Sequence, residues 1–398
     1  MISDYYLEVI TMSNIDISDS IIYVGCDDKN IDLFESQYPV PNGVSYNSYL
    51  IMDDKTCLMD TADKRVSEEW LKKVEDALGG RELDYLVISH MEPDHSGNIG
   101  KLIEKYPNVK IVGNAKTFTM YDRFFDIDIT DRKVVVKEGD TLDLGAHKLT
   151  FVMAPMVHWP EVMVAYESSE KILFSADAFG KFGTLDTDEE WTCEGRRYYI
   201  NIVGKYGAQV QALLKKAAAL DIKMICPLHG PVLKEHLEYY IDKYNTWSMY
   251  EPEDKGTLVA YASIHGNTAK AAEIFADILR KKGEEKVVVM DLSRADLSEA
   301  VEDAYRYDKL VVCSATYDAS LFPAMEDFLY HLKIKNFQNR KVALMENGTW
   351  APVANKLMRA YFEGMKKITI CENKVSIKSS VNSDTIAEME AMADELLA

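Results

Sequence analysis

One stretch constrains the fold of this chain more than any other. An apolar run at residues 85–88 ends abruptly in Ser-His-Met-Glu-Pro-Asp-His-Ser-Gly-Asn, residues 89–98. A short β-branched and aromatic run is typical of a buried strand. The sequence therefore predicts a strand that delivers a loop rich in ligand-type side chains.

Spacing within this loop predicts which side chains meet. On a roughly extended segment alternate side chains share a side, so we expect His90, Glu92 and Asp94 to converge and His95 to point away. Two carboxylates and an imidazole held together would repel one another or stay unpaired unless a cation lay among them. We therefore predict a metal site, the alternative being a solvated polar loop.

Three later strands also run out into a ligand-type residue, at His158, Asp177 and His229. Taken singly, each residue has an ordinary explanation. His158 and His229 could be packed structural histidines, and Asp177 could be a helix cap. Together with the first loop they favour a β-sandwich that presents one metal site on the loops at its strand ends. The histidines without such a context are predicted to be structural, namely His147, His236 and His331.

Composition excludes several classes of protein. The 398 residues are enough for two domains with full cores. A net charge of -20 argues against nucleic acid or an anionic membrane as partner. Neither a signal peptide nor an apolar run of membrane-spanning length is recognisable. The six cysteines include no CxxC pair, which excludes a built-in rubredoxin-like module and suits reduced thiols. We expect a cytoplasmic protein.

A polar, proline-containing segment at residues 251–256 is the predicted linker between a first domain, 1–250, and a second, 257–398. Beyond it strands alternate with helices. The predicted strands are residues 258–262, 287–290, 310–313, 342–345 and 368–371. Five such units predict an open, doubly wound parallel sheet, which binds ligands beyond the carboxyl ends of its strands.

The first strand of the second domain is followed by a predicted phosphate cradle at a helix N-terminus. Its residues are Ser263, Ile264, His265, Gly266, Asn267 and Thr268. It matches neither the P-loop nor the dinucleotide fingerprint, and without Lys or Arg it suits a monophosphate held by hydrogen bonds and the helix dipole. Whether His265 faces the ligand or fills the turn stays open.

Two neighbouring strand ends carry hydroxyls, backbone amides and an aromatic ring each. The first comprises Ser314, Ala315, Thr316, Tyr317 and Asp318, and the second comprises Asn347, Gly348, Thr349 and Trp350, followed by Ala351. Two aromatic side chains beside a phosphate cradle can flank a flat heterocycle. We therefore predict an FMN site.

With these residues in place, the chain resembles the flavodiiron proteins over nearly its whole length. The most specific element is His90-x-Glu92-x-Asp94-His95, since zinc hydrolases of the same fold carry a second histidine where Glu92 stands. The resemblance implies an α/β chain, a metallo-β-lactamase-like αββα sandwich followed by a flavodoxin-like doubly wound parallel sheet.

The resemblance also implies the cofactors, two non-haem irons joined by an oxo or hydroxo bridge and one FMN. One iron would be bound by His90, Glu92 and His158. The other would be bound by Asp94 and His229, with Asp177 bridging the two. His95 matches a family histidine that typically lies beside the irons without binding them. A tyrosine also approaches the irons in the family, and either Tyr198 or Tyr199 fits.

The implied activity is reduction of O2 to water, of NO to N2O, or of both. FMN would pass on electrons from a separate donor, rubredoxin or an F420-type cofactor. The family further implies a head-to-tail homodimer, with a tetramer as the alternative. Carboxylate in place of histidine makes the site harder and favours oxidised iron, whereas a redox-inert zinc pair has no use for a flavin.

Two other functions compete. One is a metal hydrolase of the metallo-β-lactamase fold with a regulatory flavodoxin domain. Glu92 disfavours this function, because zinc hydrolases of the fold carry a histidine at that position. The other is an electron carrier whose first domain only assembles the dimer, which the complete set of ligand positions disfavours. The preference between O2 and NO is not readable from the ligand positions.

Overall fold

Short strands, several of them buried at every position, build the first part of the chain into two stacked sheets. The computed structural model describes residues 15–398, which divide into two units, residues 15–199 with 208–244 and residues 200–207 with 245–398. The first ten strands are β1 (Ile21–Tyr23), β2 (Cys26–Asp28), β3 (Leu33–Phe34), β4 (Tyr38–Pro39), β5 (Val44–Tyr46), β6 (Tyr49–Ile51), β7 (Cys57–Met59), β8 (Tyr85–Val87), β9 (Lys110–Gly113) and β10 (Lys133–Val135). The first sheet has the order β1-β6-β7-β8-β9-β10 and is parallel from β7 to β10, while β2-β5 and β3-β4 form two small ribbons.

The second sheet of this unit follows along the chain. Its strands are β11 (Thr141–Asp143), β12 (Lys148–Met153), β13 (Met163–Glu167), β14 (Ile172–Phe174) and β15 (Met224–Cys226). They pair in sequence order, antiparallel up to β14, and β15 is parallel to β14. One apolar core joins the two sheets, with Ile51, Met59 and Val87 from the first and Phe151 and Phe174 from the second.

Helices complete the first unit. They are α1 (Ser67–Leu78), α2 (Pro93–Ser96), α3 (Ile99–Lys105), α4 (Ala115–Phe124), α5 (Trp191–Tyr198), α6 (Gly207–Ala217) and α7 (Leu237–Ser248). The faces of the sheets turned away from the shared core are buried as well, as Leu58 and Leu86 in the first sheet show. The predicted αββα sandwich is confirmed.

The second unit is the predicted parallel sheet. Its strands are β16 (Asp254–Ala262), β17 (Val287–Asp291), β18 (Tyr307–Tyr317), β19 (Ser320–Leu321), β20 (Arg340–Asn347), β21 (Ile368–Ile370) and β22 (Val375–Ile377). The order is β17-β16-β18-β20, continued by β21 and β22, and all these pairs are parallel. This is the flavodoxin-like order of a doubly wound sheet.

Helices cover both faces of this sheet. They are α8 (Asn267–Lys281), α9 (Leu297–Arg306), α10 (Pro323–Ile334), α11 (Ala354–Glu363) and α12 (Ser383–Leu397). On one face Phe275 of α8 and Met389 of α12 pack on the strand residues Val259 and Val311. The linker expected at residues 251–256 stays a prediction, and β16 already begins at Asp254. Within residues 15–398, no helix combines the length and apolarity that crossing a bilayer requires.

His147 belongs to a buried polar network in the first unit. Its Nδ1 lies 2.7 Å from Asp53 Oδ2, and its Nε2 lies 3.1 Å from Glu170 Oε1 and 3.0 Å from Ser20 Oγ. Burial by itself lowers the pKa of His147, but Glu170 and Asp53 outweigh it and raise the pKa above its usual value. The two carboxylates therefore favour the protonated imidazole, and these contacts link the segment before β1 to the loops before β7, β12 and β14.

The variant His147→Ala is expected to lose more stability in mild acid than in alkali. A histidine whose pKa is raised by folding stabilises fully below its unfolded pKa of about 6.5, and the contribution is lost as the pH rises through the folded pKa. We expect a loss of about 1–3 kcal/mol in the free energy of unfolding near pH 6 and a smaller loss near pH 9. Urea titrations at both values measure it. The exposed His236→Ala is the control, and an equal loss at both pH values would contradict a charged His147.

Candidate functional sites

The strand ends singled out in the sequence meet in the first unit. β8 of the first sheet leads to residues 90–95, whereas β12, β14 and β15 of the second sheet lead to His158, Asp177 and His229. Among residues 15–398, two adjoining groups of metal-ligand type are found. The first comprises His90, Glu92, His158 and Asp177, and the second comprises Asp94, His95 and His229.

Donor atoms of the first group lie close together. Glu92 Oε2 is 3.1 Å from Nε2 of both His90 and His158. Asp177 Oδ2 is 3.5 Å and 3.4 Å from the same two nitrogens. Neighbouring donors of an octahedral site with bonds of about 2.1 Å stand about 3 Å apart. These four side chains therefore have the spacing of a metal-ion shell.

The second group includes His95, and the prediction that His95 points away was wrong. Its Nε2 lies 3.0 Å from His229 Nε2, 3.3 Å from Asp94 Oδ2 and 3.3 Å from Asp177 Oδ1. The alternation assumed an extended chain, but Pro93–Ser96 is the helical turn α2. In a helical turn successive side chains are about 100° apart, so Asp94 and His95 both reach the cluster.

Asp177 lies between the two groups. Its Oδ2 faces His90 and His158, and its Oδ1 faces His95 and, at 3.9 Å, His229. This carboxylate is 1% exposed. One oxygen toward each group is the arrangement that a bridging ligand requires.

Opposite charges hold the cluster in balance. Burial alone lowers the pKa of His95, but Asp94 and Asp177 outweigh it and raise the pKa to about 9. Burial likewise lowers the pKa of His158, but the carboxylates of Asp177 and Glu92 outweigh it and raise the pKa to about 9. The histidines in turn overcome burial and hold the pKa of Glu92 and Asp177 below the usual range. The carboxylates thus require positive charge, which either protons or metal ions can supply.

Buried polar atoms support metal ions as the partners. Both oxygens of Asp94, both of Asp177, and Nε2 of His158 are buried without a hydrogen bond of good geometry. Buried polar groups are otherwise nearly always hydrogen-bonded. The donor set of imidazoles and carboxylates fits two iron-type ions.

Two residues that the sequence reasoning did not select orient the histidines. Glu161 Oε1 accepts from Met91 N (2.9 Å) and from His90 Nδ1 (2.7 Å), and Ser45 O accepts from His229 Nδ1 (2.7 Å). Neither oxygen can donate, so each Nδ1 carries the proton. In the neutral imidazoles Nε2 then presents its lone pair to the cluster, as metal-binding histidines do. Glu161 stands three residues after His158, and this closeness in sequence to a predicted ligand is the signal that could have identified it.

Glu35 is a further residue that the sequence did not reveal. It lies in the turn between β3 and β4 with φ of 49°. Although the residue is exposed, its carboxyl approaches the cluster, and partial burial together with the charge of Glu92 raises its pKa to about 7. Only the folded hairpin brings it there, because 57 positions of sequence separate Glu35 from Glu92.

The structure separates the two candidate tyrosines. The ring of Tyr198 lies 5.5 Å from that of His229, and burial with the charges of Asp177 and Asp94 raises the pKa of Tyr198. Tyr199 packs on Tyr244 instead, with ring centroids 4.9 Å apart. Tyr198 is therefore the tyrosine beside the cluster.

In the second unit, three predicted loops lie at one edge of the sheet. The register pairs Ala262 with Ser314 and Ala315 with Asn347, so β16, β18 and β20 end side by side. Helix α8 begins at Asn267, within the first predicted loop, and Gly266, at φ of 87°, donates from N to Ser263 Oγ (3.1 Å). A Cβ built on this glycine meets nothing within 4 Å. The open helix N-terminus fits a phosphate.

The side chains of these loops differ in exposure. Ile264 is 41% exposed, Tyr317 44% and Trp350 81%. Thr316 Oγ1 instead accepts from the backbone N of Val353 (3.0 Å), so it holds the loop after β20. The two aromatic rings are thus available to a flat ligand. The segment after β22 was not predicted to take part, yet Ser379 Oγ lies 2.6 Å from Thr349 Oγ1.

Comparisons with known proteins agree with both units. A family model described as ODP family beta lactamase matches residues 44–230, and the flavodoxin model matches residues 259–360. An anaerobic nitric oxide reductase flavorubredoxin of Vibrio vulnificus is 32% identical over 348 residues, 84% of this chain and 70% of that protein. The chain spans about half, 51%, of a putative diflavin flavoprotein of Synechocystis that is also 32% identical.

Solved structures extend the comparison. The rubredoxin oxygen:oxidoreductase of the anaerobe Desulfovibrio gigas superposes with a TM-score of 0.88 at 27% identity, covering 96% of each chain. A flavodiiron protein of Giardia intestinalis has a TM-score of 0.89 at 23% identity, covers 99% of this chain and 97% of its own, and supports the fold alone.

The variant Glu161→Gln is expected to weaken metal retention. Loss of the carboxylate removes the charged acceptor of His90 Nδ1, and changes to such supporting groups typically cost about 10- to 100-fold in metal affinity. The measurement is the Fe2+ content of the purified chain after dialysis against graded chelator. The exposed Glu138→Gln should retain iron as the unmodified chain does. Unchanged iron retention in Glu161→Gln would show that Glu161 does not support the site.

Proposed function

We propose that this chain, which belongs to the flavodiiron protein family, reduces O2 to water, NO to N2O, or both. The reaction takes place at a pair of non-haem irons. The observation that carries the proposal is the position of Asp177, with one oxygen toward each of two groups of buried donors. A flavodoxin-type unit in the same chain adds an electron carrier. Reductase names among its relatives agree with an oxidoreductase.

In this proposal each group of donors holds one iron. His90, Glu92 and His158 hold the first. Asp94 and His229 hold the second together with His95, which is added to the expected set because its Nε2 faces these donors. Asp177 is shared between them. Carboxylates from Glu92, Asp94 and Asp177 make the site hard and anionic, which favours iron over softer ions.

Protein groups around the irons have separate tasks. Glu161 and the carbonyl of Ser45 fix the proton on Nδ1 of His90 and His229. Rings of Phe34 and Tyr46 pack on the His229 ring, with centroids 5.5 Å and 5.8 Å away, and keep water from that side. When bound, the two irons and FMN together hold the four electrons that reduction of O2 to two waters consumes.

The second unit binds FMN in this proposal. Residues 263–268, at the N-terminus of α8, receive the phosphate through backbone N–H groups and hydroxyls. The loops at residues 314–318 and 347–350 flank the isoalloxazine ring, with Tyr317 and Trp350 as the aromatic contacts.

Rubredoxin as the electron donor and the head-to-tail homodimer remain part of the proposal, and sedimentation of the loaded protein tests the dimer.

Reduction of the gases is tested on the full chain loaded with iron and FMN. After anaerobic reduction, electrodes follow the consumption of O2 and NO separately, with metals and flavin counted. About two irons and one FMN per chain with consumption of either gas is the expected result, and the ratio of rates identifies the substrate. Zinc in place of iron, together with hydrolytic turnover and no gas consumption, would overturn the proposal.

Asp177→Asn is the sharpest variant for this assay. It keeps the size of the side chain but halves the number of acceptor oxygens, so one of the two groups loses its shared ligand. We expect consumption of both gases to fall to background while FMN binding stays intact. Asp242→Asn, exposed on α7, is the matched control. Full gas consumption by Asp177→Asn would rule out Asp177 as the bridge.

The FMN site has its own test. Trp350→Ala and Tyr317→Ala each remove one aromatic surface, and loss of such stacking typically weakens binding by about 1–3 kcal/mol. Titration of the flavin-free chain with FMN, followed by quenching of flavin fluorescence, measures the Kd. Tyr330→Ala, an exposed tyrosine on α10 (51%), should leave the Kd unchanged. An unchanged Kd in both loop variants would place the flavin elsewhere.

A further inference from the structure

An apolar cavity of about 210 Å³ lies in the first unit, between the second sheet and the helices α6 and α7. Its floor is the face of the sheet opposite the shared core. Val152, Val164 and Leu173 line it, because their neighbours along the strands, among them Phe151 and Phe174, point into that core. Leu213 of α6 and Leu237 of α7 lie across from them.

The inner end of the cavity adjoins the metal cluster. Val157, Ala178 and Phe179 line the cavity. Val157 directly precedes His158, Ala178 directly follows Asp177, and Phe179 is the next residue after Ala178. The turn at residues 175–180 therefore presents residues 178 and 179 to the cavity and the Asp177 carboxylate to the donors.

On its other side this turn touches the donors. A Cβ added to Gly180 would lie 3.4 Å from His229 Cβ and 3.4 Å from Tyr198 Cε1. Gly180 N also donates to Asp177 O (3.0 Å), which closes the turn. A single turn of backbone thus separates the apolar cavity from the proposed irons.

Polar groups in the lining are already paired. Ser175 Oγ donates to Ala178 O (2.8 Å), and Tyr244 OH accepts from Phe179 N (2.6 Å). A buried water typically needs about three hydrogen-bond partners, whereas apolar cavities of about 150 Å³ stay dry and take up xenon or benzene. The cavity therefore suits a small apolar molecule better than water.

The cavity also reaches the surface. Ile241, 36% exposed, lies on its rim, as does the exposed Ala218. A small molecule can therefore enter from solvent between α6 and α7 and move inward along apolar side chains. The lining carries no charged residue, so nothing there attracts ions or polar metabolites.

We propose that this cavity takes up the small apolar gas from solvent and holds it beside the metal centre. The inference rests on the proposed reduction of O2 or NO, since both are small, uncharged molecules that dissolve better in hydrocarbon than in water. By raising the local gas concentration, the cavity lowers the KM for the gas and leaves kcat unchanged.

Xenon, an apolar atom of similar size, is the direct probe. We expect crystals of the full chain pressurised with xenon to show a xenon peak within the cavity, with Leu213 and Val164 around it. The filling variant is Ala217→Leu, because Ala217 of α6 lines the cavity. The matched control is Ala212→Leu, the same change at an exposed position of α6 outside the lining. The peak should vanish in the first variant and persist in the second.

Gas consumption by the iron- and FMN-loaded variants completes the test. Ala217→Leu should raise the KM for the gas several-fold at unchanged kcat, unchanged iron content and unchanged reduction of FMN by the donor, whereas Ala212→Leu should match the unmodified chain. An unpressurised cavity filled by ordered water, absence of xenon, or an unchanged KM in a variant that excludes xenon would each overturn the inference. Xenon in the cavity of a loaded chain that consumes neither gas would overturn the proposed function instead.

Discussion

Three carboxylates, those of Asp94, Asp177 and the partly buried Glu92, surround the same histidines and constrain the first unit more than any other interaction. Asp94 and Asp177 have no good hydrogen-bond partner for either oxygen, and such anions are tolerated in a protein interior only when cations neutralise them. The donors come from β8 of one sheet and from the ends of β12, β14 and β15 of the other. The cluster therefore exists only when the two sheets stack, so the apolar core between them positions the site as well as stabilising the fold.

A layer of neutral hydrogen bonds holds the His229 loop against the first sheet. Asn47 Nδ2 donates to the carbonyls of Pro227 and Gly230, each at 2.8 Å, and Tyr49 OH donates to Pro227 O at 2.6 Å. The Asn47 oxygen is itself held by Tyr23 OH at 2.9 Å. These bonds run from β6 and from the link between β5 and β6 to the loop after β15 of the other sheet. His229 is therefore fixed by contacts that carry no charge and do not depend on the ions.

Local patterns predicted much of this protein. The apolar runs that end in His or Asp located the six expected donors, and the strand–helix alternation after residue 257 predicted the parallel sheet. The predicted direction of the His95 side chain was wrong, because the chain forms a proline-initiated helical turn at Pro93–Ser96. This turn brings His95 into the cluster. Glu35 and the carbonyl of Ser45 escaped notice for another reason. They reach the site only through long-range packing, and a single glutamate or a backbone oxygen leaves no periodic signal in a sequence.

Backbone conformation around Asp177 shows how the helices contribute to the site. Ala176 and Phe179 have φ of 51° and 68°, a left-handed conformation that costs a residue other than glycine about 1–3 kcal/mol. Contacts of Phe179 offset that cost, since its ring lies 4.4 Å from the Tyr244 ring, its N–H donates to Tyr244 OH, and its carbonyl accepts from Trp191 Nε1 (3.1 Å). Tyr244 belongs to α7 and Trp191 to α5, so helices as well as strands hold the turn that carries the shared carboxylate. The position of Asp177 is thus set by apolar packing on the side away from the donors, and the same packing forms the inner wall of the cavity.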